Sequence, residues 1–153
     1  MLAYDLTGWI HLVVSILALI AGSFVMCTKK GTKRHKIIGY FYSFFMLSVL
    51  VTALLIYRLT GGFNVFHFIA IAGFFYLIMG LVPMVLKRKN RIKTHIYFMY
   101  WSVIGLYAAL VAEVLVRVPN TPFWWMVGVG VAVVTGFGTY FYVKKKKQWN
   151  RLA

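Results

Sequence analysis

Five apolar runs, at residues 8–27, 37–57, 64–86, 95–117 and 122–143, leave this sequence few ways to fold. A hydrocarbon core of ~30 Å takes about 20 residues of helix to cross. No water reaches the backbone there, so each run must close its own hydrogen bonds as an α-helix. The expectation is an all-α membrane protein. Residues 1–153 form one transmembrane domain of five spanning helices, and 144–153 form a basic tail.

Charge gives those helices a direction. The chain carries 17 Lys and Arg against 2 Asp and Glu, a net charge of +15. In a water-soluble protein that balance would suggest a nucleic-acid partner. Here the positive charge is gathered between the apolar runs, on alternate connections. One group is Lys29, Lys30, Lys33, Arg34 and Lys36. A second is Lys87, Arg88, Lys89, Arg91 and Lys93, and a third is Lys144, Lys145, Lys146, Lys147 and Arg151. Cytoplasmic loops concentrate Lys and Arg, so the pattern predicts an N-terminus outside and a C-terminus inside. It predicts no nucleic-acid partner. The clusters are expected to attract anionic lipid headgroups, at about 1 kcal/mol per charge near the surface.

Punctuation agrees with this layout. Trp9, Trp101, Trp124 and Trp125 lie at or near run ends, as an aromatic belt has them. Gly61-Gly62 and the pair Pro119 and Pro122 break the chain in two short turns. Pro83 falls within the third run, where it removes a backbone donor. The N-terminus has no basic n-region and no small-residue cleavage pattern, so the first run is expected to stay as a helix. Asp5 precedes that helix and is expected to be solvated. Cys27 is the single cysteine and is expected to be a free thiol.

Runs 1–2 and runs 3–4 resemble two copies of one hairpin. Each copy has a His near its outer end (His11, His67) and a basic loop ending in a His (TKRH at 32–35, IKTH at 92–95). Each then has an aromatic-rich start to the next run, and an Arg at the outer boundary (Arg58, Arg117). Helices 1–4 are therefore expected to form a duplicated-hairpin bundle with helix 5 packed on it. Gly128, Gly130, Gly136 and Gly138 suit that close packing.

The four histidines form two layers, His11 with His67 outside and His35 with His95 inside. At 1.5 Å per residue, His11 lies about 24 Å above the inner end of its helix. On helix 1, His11, Ser15, Ala18 and Gly22 share a stripe, as do His35, Gly39, Tyr42, Met46 and Ala53 on helix 2. On helix 4, His95, Met99, Ser102, Ala109 and Glu113 line up. Two chemistries fit. Axial imidazoles from different helices can hold b-type haem, one per layer, and carry electrons across the membrane. Alternatively His11, His67 and Glu113 form an outer two-His, one-carboxylate site for Zn or Fe. A third expectation is a cofactor-free accessory subunit or small transporter, its histidines interfacial and Glu113 paired with Arg117 one turn on. A redox or membrane-protein partner is expected with the first or third. No nucleophile elbow and no phosphate-binding glycine loop is present.

HKIIGYFY after the first basic loop and THIYFMYWSVIGLYAALVAEVLVR in helix 4 carry a resemblance. Over roughly residues 8–118 the chain resembles a bacterial membrane family catalogued as domain of unknown function 2306. The resemblance implies a small polytopic protein of the bacterial cytoplasmic membrane. That family typically has Arg after the loop histidines, where this chain has Lys36 and Ile96. The histidine layout is also similar to that of transmembrane diheme b-type cytochromes. By position, that likeness would pair His11 with His67 and His35 with His95.

Overall fold

A computed structural model describes residues 6–56 and 61–150, apart from the side chain of Asn150. Asp5, Arg58 and Arg151, which the charge pattern singles out, lie outside the described residues. Five helices follow one another: α1 Leu6–Cys27, α2 Lys33–Leu55, α3 Val65–Val85, α4 Arg91–Leu115 and α5 Phe123–Asn150. Each is long and apolar enough to cross a membrane, and no strand occurs among the described residues. The all-α membrane class expected from the sequence is the one adopted. α5 runs on through Lys144–Lys147, where a tail was expected. Lysine is a good helix former, and nothing at residue 143 breaks the chain.

Small residues hold many of the buried positions, and many large ones are exposed. Ala18 and Ala112 are fully enclosed, and Ala21, Gly22, Ala70, Ser102 and Ala108 are also buried. Phe24, Phe44 and Phe137 are 61%, 64% and 65% exposed. Lipid tails are as apolar as leucine, so no hydrophobic drive pulls large side chains inward. Small residues let helices approach closely, and large ones face the tails. Serine and threonine hydroxyls inside the helices turn back onto their own backbone: Ser43 donates to Gly39 O at 2.8 Å and Thr135 to Val131 O at 2.6 Å.

The chain divides into two compact units, residues 1–75 and 76–153. In the first, α1 packs along α2, with Ala18, Ala21, Gly22 and Val25 buried on α1, Tyr42, Met46 and Val49 buried on α2, and Gly39 against Val25. Ala18 and Gly22 of the first expected stripe and Tyr42 and Met46 of the second are among the buried residues. Gly73, in the first half of α3, sits against Leu50 and Met46 of α2. The turn between α1 and α2 is tied down by charge. Lys30 Nζ donates to Val25 O at 2.9 Å and to Met26 O at 3.1 Å, which neutralises the open carbonyls at the end of α1. Cys27 closes that helix as an exposed free thiol.

In the second unit, α5 packs along α4. A Cβ at Gly130 would stand 3.1 Å from the Cα and N of Ala112, and one at Gly138 would stand 2.8 Å from Ile104 Cγ2. Gly128 and Gly136 have nothing within 4 Å of that position. Only half of the glycines expected to support packing do so. Two residues along a helix are a turn of about 200°, so the second pair faces away from the first. Gly80, near the end of α3, is pressed against Met99 of α4.

Candidate functional site

His11, in the second turn of α1, places Nδ1 2.8 Å from Thr52 Oγ1 on α2. The Thr52 hydroxyl already donates to Ser48 O at 2.7 Å, within reach of Val49 O as well. Its hydrogen being spent on its own helix, it accepts from the imidazole. The proton therefore sits on Nδ1 of His11, and Nε2 is the lone-pair nitrogen. Thr52 is buried, so the bond fastens the ends of α1 and α2 away from water. Thr52 was not among the residues expected from sequence, although a threonine inside VLVTALL is a visible polar interruption.

His67 is 1% exposed and does a different job. Its Nδ1 accepts from the backbone N–H of Asn64 at 3.2 Å, while Asn64 Oδ1 accepts from the N–H of Phe66 at 2.9 Å. This is the reciprocal arrangement of a capping box, with the imidazole in the place a Glu or Gln usually fills. Phe63 lies on the His67 ring with centroids 4.7 Å apart and meets Phe68 edge-on at 5.0 Å. Phe63 and Phe68 are the hydrophobic staple of the same helix start. Accepting at Nδ1 puts the neutral ring's proton on Nε2, the tautomer opposite to that of His11.

The loop histidines also reach back to the preceding helix. His35 N–H donates to the capping Thr32 Oγ1 at 3.2 Å, and its Nδ1 lies 3.4 Å from Thr28 Oγ1, a long contact. His95 Nδ1 donates to Gly80 O on α3 at 2.8 Å. A carbonyl can only accept, so His95 also has Nε2 as its lone-pair nitrogen. Glu113 is bound by Arg117 one turn on, Oε1 to Nη2 at 2.7 Å, in a partly exposed pair. That is the pairing weighed against a metal role. Within either unit, no three or more His, Cys, Asp or Glu among the described residues are grouped to hold a metal ion.

Aromatic residues gather where α4 meets α5. Tyr100 donates its hydroxyl to Gly138 O at 2.6 Å, and its ring meets Trp101, Tyr142 and Trp149 at 5.7, 5.4 and 5.3 Å. The aromatic start of helix 4 is therefore packing between two helices. Trp149 was read from sequence only as part of the tail.

A family model described as "Predicted membrane protein (DUF2306)" matches residues 8–142. The chain belongs to that family. The match takes in α5 up to Tyr142, so the family pattern extends beyond the four helices on which the resemblance rested. No curated protein and no solved structure matches the chain. With the five apolar helices, membership makes this an integral membrane protein.

The His11–Thr52 bond has a measurable weight. Interhelical hydrogen bonds in membranes average about 0.6 kcal/mol and reach about 1.7. His11→Ala and Thr52→Val are each expected to lower stability by about 1 kcal/mol, and the double variant by little more than either. A thermal or denaturant titration in detergent micelles measures all three. Fully additive losses would mean the two side chains do not interact.

Proposed function

We propose that the chain is an accessory protein of a membrane assembly, acting through packing and not through chemistry at a bound group. One observation supports this above others: every imidazole serves the fold. His11 ties α1 to α2, His95 ties α4 to α3, His67 caps α3, and His35 contacts the end of α1. The one described carboxylate, Glu113, is matched by Arg117. The basic connections support a cytoplasmic C-terminus in a bacterial inner membrane. In mild detergent the chain is expected to migrate on a native gel in a complex well above its own 17.6 kDa plus micelle. Migration as a lone chain from freshly solubilised native membranes would count against an accessory role.

A second reading, b-type haem and electron transfer, is favoured by the tautomers of His11 and His95. A ring that donates Nδ1–H and keeps the lone pair on Nε2 has the form of an imidazole ligand to iron. Haem held by either of them, each in its own layer, would supply one-electron transfer. His67 does not suit the same role, because ligation through Nε2 would require its Nδ1 to give up the Asn64 N–H. An optical spectrum of purified protein decides between the two. The accessory reading expects no Soret band, with His95→Ala lowering the melting temperature only. A Soret band that shifts on reduction and disappears in His95→Ala would establish haem instead.

A further inference from the structure

The last turns of α5 and the first turns of α4 enclose a cleft of about 40 Å³ lined by Lys93, Ile96, Tyr142, Lys146 and Trp149. A water needs roughly 10–15 Å³ of such space, so the cleft takes a group of a few heavy atoms and not a ring or an acyl chain. Its walls are fixed. Trp149 lies against Tyr100 and Tyr142, Tyr142 meets Tyr97 at 5.7 Å, and Tyr100 is bonded to the α5 backbone at Gly138. α4 contributes Lys93 to the lining and α5 contributes Lys146.

Two like charges on facing helices call for a counter-charge, and no side chain lining the cleft supplies one. The chain's acids are Asp5 and Glu113. Asp5 lies outside the described residues, and Glu113 is held by Arg117. Glu113 is also 113 − 93 = 20 residues along α4 from Lys93, or about 30 Å. An anion from outside the chain suits these two charges. Trp149, Tyr142 and Tyr97 are residue types that settle at the headgroup level of a bilayer. Val143, 64% exposed and about one turn before Lys146, offers apolar surface just below the lysines.

We propose that this cleft binds the phosphate of an anionic phospholipid, with Lys93 and Lys146 on the phosphate oxygens and the acyl chains along α5. Basic pockets between membrane helices are known to hold lipid headgroups in this way. A free phosphate would satisfy the same charges but would leave the apolar flank unused. This inference is independent of whether the chain is an accessory protein or a haem protein.

The test is native mass spectrometry of the full chain released from nanodiscs of equimolar phosphatidylglycerol and phosphatidylcholine. The wild type is expected to retain phosphatidylglycerol selectively. Lys93→Gln with Lys146→Gln should reduce that retention by about tenfold or more. Lys144→Gln with Lys145→Gln, which removes the same charge from α5 alone, should leave it intact, as should Lys93→Arg with Lys146→Arg. Equal losses in both glutamine pairs would reduce the site to diffuse attraction and overturn the proposal. Equal retention of phosphatidylcholine, or displacement of the lipid by millimolar inorganic phosphate, would overturn it too. Should the Lys93/Lys146 pair fold poorly, Lys146→Gln alone, at an exposed position, decides by whether retention falls.

Discussion

Gly130→Leu is expected to cost about 3 kcal/mol and to loosen the α4–α5 hairpin, while Gly128→Leu, two residues away, leaves stability unchanged or slightly improved. At Gly130 the first added carbon would meet the Cα and N of Ala112 at 3.1 Å. Those atoms belong to helical backbone and cannot turn aside as a side-chain end can. A leucine must therefore push the helices apart, and overpacking of this kind costs roughly 1–3 kcal/mol. At Gly128 nothing lies within 4 Å, and replacing Gly in a helix gains up to about 1 kcal/mol in propensity. Melting of both variants by circular dichroism in the same detergent gives the difference directly. Equal destabilisation at the two positions would mean that α5 meets α4 by some other face.

Tyr100 carries the second large effect, and its two parts separate. Tyr100→Phe removes one interhelical hydrogen bond and should cost about 1 kcal/mol. Tyr100→Ala also removes the ring on which Trp101, Tyr142 and Trp149 converge. Large-to-small changes at aromatic core positions cost about 3–5 kcal/mol. Part of that value is the transfer of apolar atoms from water, a contribution that weakens between protein and lipid. The expected loss is about 3 kcal/mol, carried by the cavity and the lost ring contacts. Trp149 fluorescence gives a second measure, since the end of α5 loses its support on α4 in Tyr100→Ala but keeps it in Tyr100→Phe. Identical melting of the two variants would mean the ring adds nothing beyond its hydroxyl.

Helix number and class were legible in the sequence because a bilayer permits an apolar run of that length so few conformations. The faces of α1 and α2 were legible too, since Ala18, Gly22, Tyr42 and Met46 recur at helical spacing and all are buried. The roles of the histidines were harder to see. Periodicity places His11 on a face, but its partner Thr52 is 41 residues away and belongs to another helix. His95 is held by a backbone carbonyl, which every residue possesses and no side-chain pattern reveals. His67 is the instructive case. Asn64 three residues before it, with Phe63 and Phe68 flanking, is a helix-start signature written in FNVFHF. Weighed as a ligand or as an interfacial side chain, His67 concealed a local explanation. The glycines of α5 differ for a related reason. Composition cannot say which of two pairs, half a turn apart, faces a neighbour.

The continuation of α5 to Asn150 changes what its lysines can do. Residues on one rigid helix follow at steps of about 100°, so Lys144, Lys145, Lys146 and Lys147 project around the whole circumference. They form a collar on a rod and not a tether on a string. A rod about 42 Å long exceeds a ~30 Å layer, so the α4–α5 hairpin can shift or tilt only until that collar reaches the hydrocarbon. Further travel would then submerge four ammonium groups together. The collar thereby acts as a mechanical stop that sets how deeply α5 can sink, and with it the height of every residue packed against that helix.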